Sequence, residues 1–165
     1  MIIDRKGMQK IESLSGFSSL EIMETVSRLI ADKIMHAFSK QDNIVVLAGK
    51  GNNGGDGYTI CKYLKEYSFK ILPIDGEPVS NEAIKAKNNI DPHSIYTYQK
   101  KFIDEADLII STGQFDETKE LLDKIHSPVA LFSATITDKV KKFLPEESEL
   151  LYLNDSQIKE EIKTY

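Results

Sequence analysis

Residues Gly49 to Gly57 read Gly-Lys-Gly-Asn-Asn-Gly-Gly-Asp-Gly, five glycines in nine positions, directly after the apolar run Asn43 to Ala48 (NIVVLA). A run rich in β-branched residues predicts a buried strand. So bare a loop behind it predicts a turn that lets backbone come close to a ligand or to other backbone. Asp56 to Tyr67 then has helical spacing, with Ile60, Cys61 and Leu64 inward. A helix start offers unpaired N–H groups and the positive end of a dipole. Asn52 and Asn53 add side-chain donors and acceptors. Together these suit a phosphate or a polarised ring substituent. A plain turn capped by Asp56 is the blander reading. The density of glycine and the paired Asn favour ligand binding, and leave Asp56 to either role.

The remaining chain alternates strand and helix. Ser18 to Ser39 predicts a long helix with a capping box of Ser18 and Glu21, followed by an apolar stripe of Ile22, Val26, Leu29, Ile30 and Ile34. Strands are expected at Phe69 to Ile74, Ile95 to Tyr98, Asp107 to Ser111, Pro128 to Phe132 and Leu150 to Leu153. Helices are expected at Ser80 to Asn89, Phe115 to His126, Thr137 to Leu144 and Gln157 to Lys163. Continuous apolar strands between helices predict an α/β fold, a Rossmann-like, doubly wound, mostly parallel sheet flanked by helices on both faces. The expected strand order is 3-2-1-4-5, with the crevice between the first and fourth strands as the ligand site.

The 165 residues suit a single domain over 1–165. A net charge of −5 without a long basic run argues against nucleic acid as partner. No apolar stretch approaches the ~20 residues of a membrane span, and the N-terminus lacks the apolar centre of a signal peptide. One cysteine, Cys61, allows no internal disulfide. A cytoplasmic location and no membrane partner are therefore expected. His36, His93 and His126 are scattered and show no zinc spacing.

Gly49-x-Gly51-x-x-Gly54 also matches the dinucleotide fingerprint, and Asp75 follows about twenty residues on, where a ribose-binding acid belongs. An NAD(P)-dependent oxidoreductase subunit is thus one reading. Against it, the loop runs on as Gly-Asp-Gly where the fingerprint helix is expected to have begun, and the length leaves no substrate domain.

The longer pattern is more selective. Gly49 to Gly57 resembles the G-x-G-N-N-G-G-D-G signature of the YjeF N-terminal domain family, the NAD(P)H-hydrate epimerases. Gly16-Phe17-Ser18-Ser19 with Ile22-Met23-Glu24 resembles the family's early Leu-Met-Glu-Asn helix, with Thr25 in place of Asn. Asp107 to Gly113 resembles its strand ending in a Gly-Thr-Gly turn, and the similarity runs from about Met8 to Thr135. The resemblance implies a small-molecule nucleotide partner, with hydrated NAD(P)H as substrate rather than cofactor, and a bound potassium ion. Such proteins interconvert the two epimers of the damaged cofactor and are often dimers, which implies a homodimer. Asn52, Asn53, Gly54, Gly55 and Asp56 would line the substrate pocket with Thr112 and Gly113. Asn53 would be an ion ligand, joined by Thr135.

The chain departs from that pattern in its acids. Leu108-Ile109-Ile110-Ser111 holds no carboxylate where the family has Val-Asp-Ala, and Phe132 and Thr135 stand where the family has Asp and Ser. A positioned acid or base contributes about 10²–10⁴-fold to steps that move a proton. The residues therefore leave open an epimerase-like enzyme with no assigned catalytic residue, a non-catalytic nucleotide-binding or assembly module on the same fold, and the oxidoreductase subunit.

Overall fold

A computed structural model of the chain describes residues 16–74, 76–112 and 129–132, with the backbone alone for 130–132. The expected helices Phe115 to His126, Thr137 to Leu144 and Gln157 to Lys163, and the strand Leu150 to Leu153, lie outside the described residues, as do Asp75, Gly113 and Thr135.

Helix α1 spans Ser19–Ala37. Its start is fixed by the expected capping box: the Glu21 N–H donates to Ser18 Oγ (3.2 Å), and the Ser18 N–H donates to Glu21 Oε2 (2.8 Å). Those bonds hold the Glu21 carboxyl below its usual range. Met23, Ser27, Ile30 and Ile34 form the buried stripe. Strand β1 is Ile44–Ala48 and is buried at every residue, as its unbroken apolar sequence requires. Helix α2 (Asn52–Tyr63), strand β2 (Phe69–Pro73) and helix α3 (Asn81–Asn88, capped by Ser80) follow. Then come a 3-10 turn at Pro92–Ser94, helix α4 (Lys100–Asp104), strand β3 (Leu108–Thr112) and strand β4 (Val129–Phe132).

The four strands are parallel in the order β2-β1-β3-β4. This is the expected winding with its third strand reduced. Ile95 alone bridges Ile71, next to β2 where that strand was expected. The proline-led turn delivers the chain to that edge, and α4 takes it away from Lys100 onward. Alternate strand residues feed two cores. Ile44, Val46, Ala48, Ile71, Leu108 and Ile110 pack with α1, α2 and α3. Val45, Leu47, Leu72 and Ile109 pack with Phe102 and Ile103 of α4 on the other face. Helices therefore cover both faces of the sheet. No described helix is long and apolar enough to cross a membrane.

Two buried side-chain atoms, the Tyr58 hydroxyl and Ser111 Oγ, have no hydrogen-bond partner among the described residues, and Ser111 is wholly enclosed in β3. Leaving a hydroxyl unpaired costs about 1–3 kcal/mol, whereas removing it without opening a cavity is close to neutral or stabilising. Ser111→Ala is expected to keep or raise stability in urea unfolding by up to about 1 kcal/mol. Leu47→Ala, at the paired register position in β1, is expected to cost about 2–5 kcal/mol.

Candidate functional site

The sheet reverses its winding between β1 and β3, so the carboxyl ends of these strands open the crevice where ligands of such sheets bind. Three backbone bonds tie the segments at that edge. The Gly49 N–H donates to the Thr112 carbonyl (2.9 Å), the Ile74 N–H to the Ala48 carbonyl (2.8 Å), and the Val79 N–H to the Lys50 carbonyl (2.9 Å).

Helix α2 begins at Asn52 and not at the expected Asp56. Four poor helix formers are drawn into its first turns because packing demands bare backbone there. A Cβ on Gly54 would sit 1.7 Å from the Gly49 carbonyl oxygen. On Gly57 it would meet Thr112 Oγ1 at 2.7 Å and Val46 Cγ1 at 3.1 Å, and on Gly55 Met23 Cε at 2.7 Å and the Ala83 Cα at 3.1 Å. These three glycines let α2 lie against the end of β1, the end of β3, α1 and α3 together. Gly51, the N-cap, differs: nothing lies within 4 Å of its Cβ position, and no side chain caps the helix. With φ at −91° it is in no conformation that needs glycine, so what it leaves is an unobstructed approach to the first amides of α2.

Two expectations are corrected by this start. Asp56 is not a cap, because it lies inside the helix. Nor is the fingerprint helix late, so that objection to a dinucleotide site falls: the helix follows Gly51 directly, and Gly54 makes the close helix–strand contact of the fingerprint's third glycine.

Asn53 and Asp56 are three residues apart and share a face of α2, next to Gly57 and the end of β3. Asp56 is half-buried, and its carboxyl has no hydrogen-bond or salt-bridge partner among the described residues. Burial alone pushes it from an ordinary 3.8 up to about 7. A carboxyl without a partner among the described residues and raised by burial is a candidate functional group. Asn53 is half-buried and Asn52 exposed. The oxygens of Asn53 and Asp56 are hard donors free of internal bonds among the described residues, which fits a weakly held cation such as potassium in kind.

Thr112 reaches the same edge but turns inward. It is fully buried, and its hydroxyl donates to the Leu47 carbonyl at 3.0 Å. The hydroxyl is thus committed to the sheet, and Thr112 fixes where the loop after β3 departs. Two contributors were not expected from sequence. Ser27 of α1 donates to the Asp56 carbonyl (3.3 Å), and Thr59 donates to the Gly55 carbonyl (2.9 Å), which holds the early turns of α2 in place. A serine within the apolar stripe of α1 was the available signal. Farther along, Lys62 and the Tyr63 hydroxyl both donate to Glu24, at 2.7 Å each, and clamp α1 to α2.

Residues 19–124 match the family model described as YjeF-related protein N-terminus. An NAD(P)H-hydrate epimerase of Limosilactobacillus reuteri is 46% identical over 50 residues, covering 30% of this chain and 24% of that protein. One from Caenorhabditis elegans is 32% identical over 71 residues, 43% of this chain and 30% of that protein. A bifunctional NAD(P)H-hydrate repair enzyme, Nnr, of Archaeoglobus fulgidus is 33% identical over 70 residues, 42% of this chain and 15% of that protein. The matched stretch spans less than a third of each relative's length. The crystal structure of the yeast protein ynu0 shares the fold, with a TM-score of 0.66 at 17% identity over 79% of this chain and 69% of that one.

Two outcomes follow for stability. Gly54→Ala is expected to destabilise by at least about 3 kcal/mol in chemical unfolding, since backbone stands in the way, and Gly51→Ala by well under about 1 kcal/mol. Asp56 binds its proton more tightly in the folded chain than in the unfolded one, so its effect costs stability as pH rises from about 4 to about 7. Asp56→Asn is therefore expected to raise the melting temperature at pH 8 and to leave it unchanged near pH 4.

Proposed function

The chain belongs to the YjeF-related protein N-terminus family, and from that premise we propose that it binds a hydrated nicotinamide nucleotide at the start of α2 and interconverts the epimers of its hydrated ring. The observation that carries this reading is Asp56, an acid without a partner among the described residues, raised to about 7 by burial and on the same helix face as Asn53. Epimerisation breaks a bond at one ring carbon and remakes it on the other face. A side chain that takes up and returns a proton near neutral pH serves both halves of that exchange. Asp56 fills this role in the proposal, which meets the lack of an acid along β3. The uncapped amides of α2 bind the polar end of the ligand, and Gly51 lets it come close. Asn53, with Thr135, would hold a potassium ion, which contributes positive charge beside the ligand when bound. A homodimer belongs to the same proposal and is read from sedimentation velocity.

A second reading is supported by the same β3, whose five residues are all buried and include no acid. The fold then serves as a nucleotide-binding module without turnover.

The experiment starts from one pure epimer in potassium buffer and follows the approach to equilibrium by chromatography. The rate is expected to exceed the protein-free control and to show an inflection near pH 7. Asp56→Asn is expected to lower it by about 10²–10⁴-fold while ligand still raises the melting temperature. A rate equal to the control, with a ligand-induced melting shift intact, selects the binding module.

A further inference from the structure

Helices α1, α2 and α3 line a cavity of about 260 Å³. It lies on the side of α2 away from the sheet. Gly57 meets Thr112 and Val46 of the strands, whereas Thr59, two positions on and more than half a turn round, lines the cavity. Among the described residues, none of 49–57 lines it, so it is separate from the start of α2. Each helix turns one face to it. Residues come three or four apart: Thr59 and Lys62 on α2, and Lys85 with Asn88 and Asn89 at the end of α3, opposite Glu24 of α1.

The polar groups are of two kinds. Lys62 and Glu24 are spent on each other at 2.7 Å. The side chains of Lys85, Asn88 and Asn89 make no hydrogen bond or ion pair among the described residues. One ammonium and two amides on one helix face thus offer uncommitted donors to the several oxygens of one anion. The end of α3 is the negative end of its dipole, so the attraction for an anion has to come from Lys85.

The floor asks for something else. Thr59 and Ala86 are buried there, 3% and 6% exposed. The Thr59 hydroxyl donates to the Gly55 carbonyl at 2.9 Å, which leaves its oxygen able only to accept. A ligand group that bonds to it must donate, as an alcohol does and an ionised oxygen does not. Leu20 and Ala86 offer apolar surface between the two kinds of polar group. The volume falls below the roughly 300 Å³ at which pockets for drug-sized ligands begin, so the occupant is short.

We propose that this three-helix cavity binds a short polyol phosphate. Its phosphate sits on Lys85, Asn88 and Asn89, its carbon chain lies along Leu20 and Ala86, and a hydroxyl donates to the Thr59 oxygen. The proposal does not rest on the ligand assigned above to the start of α2.

Glycerol phosphate, titrated into the full, otherwise ligand-free chain and followed residue by residue by NMR, tests it. Saturable shifts are expected at the Thr59 amide and at the side-chain amides of Asn88 and Asn89. Inorganic phosphate lacks the alcohol and is expected to bind about 5-fold more weakly, and glycerol, without the anion, not to bind. Lys85→Gln is expected to weaken glycerol phosphate by about 10-fold or more, and Thr59→Val by about 5-fold. Lys85 is exposed, so its replacement does not endanger the fold, and an unmoved Val46 amide in β1 checks that. Shifts confined to Gly51, Asn52 and Asn53 report an anion at the start of α2 and overturn the cavity site alone. Unweakened binding in Lys85→Gln overturns it as well. So does inorganic phosphate binding as tightly as glycerol phosphate, because the floor then takes no part.

Discussion

The contact between the Gly54 backbone and the Gly49 carbonyl governs the carboxyl edge of the sheet at β1 and β3. It allows a helix to begin within one short turn of a buried strand, with no side chain between them. Every other arrangement at the crevice depends on that approach. Because α2 starts so close to β1, Gly57 reaches Thr112 of β3, and Gly55 reaches both α1 and α3. The stability of four helix-weakening residues in one stretch then comes from tertiary contact and not from local propensity.

The same closeness sets the electrostatics. Asp56 sits in the second turn of a helix sunk against the sheet, with its main chain held by Ser27 and its carboxyl left without a partner among the described residues. The surrounding apolar mass raises the cost of ionising it. Thr112 uses its hydroxyl on Leu47 and its carbonyl on Gly49, which binds the end of β3 to the end of β1. A firm frame and one unpaired acid therefore stand at the same edge. The clamp of Glu24 by Lys62 and Tyr63 secures the opposite end of α2.

Much of this was legible in the chain because the signals were local. The unbroken apolar run of β1, the Ser18–Glu21 box and the winding order could all be read from a few neighbouring residues. The start of α2 was not, because glycine and asparagine look like loop until one knows what they pack against. Capping and ligand contact could not be separated at Asp56 for the same reason. The expected third strand shrank to one bridge at Ile95, since its pairing was decided by the turn before it and the helix after it. Helix α4 is five residues long, too short for a period to show. Of the expected site, Asn52, Asn53 and Asp56 stand together on α2, whereas the Thr112 hydroxyl is spent inside the sheet. The candidate residues were recognisable as a motif, but their burial and bonding were set by contacts distant in sequence.

The pairing of β1 with β3 has a consequence for synthesis. Ile44 must wait for Leu108, 64 residues later, before its second edge is filled. At ribosomal speeds of about 5–20 residues per second, that edge emerges several seconds ahead of its mate. Until then a wholly apolar strand offers its open side to any passing chain, the usual route to aggregation. In a crowded cell, the yield of this protein would depend on chaperones that shield nascent strands as much as on how firmly the finished sheet holds.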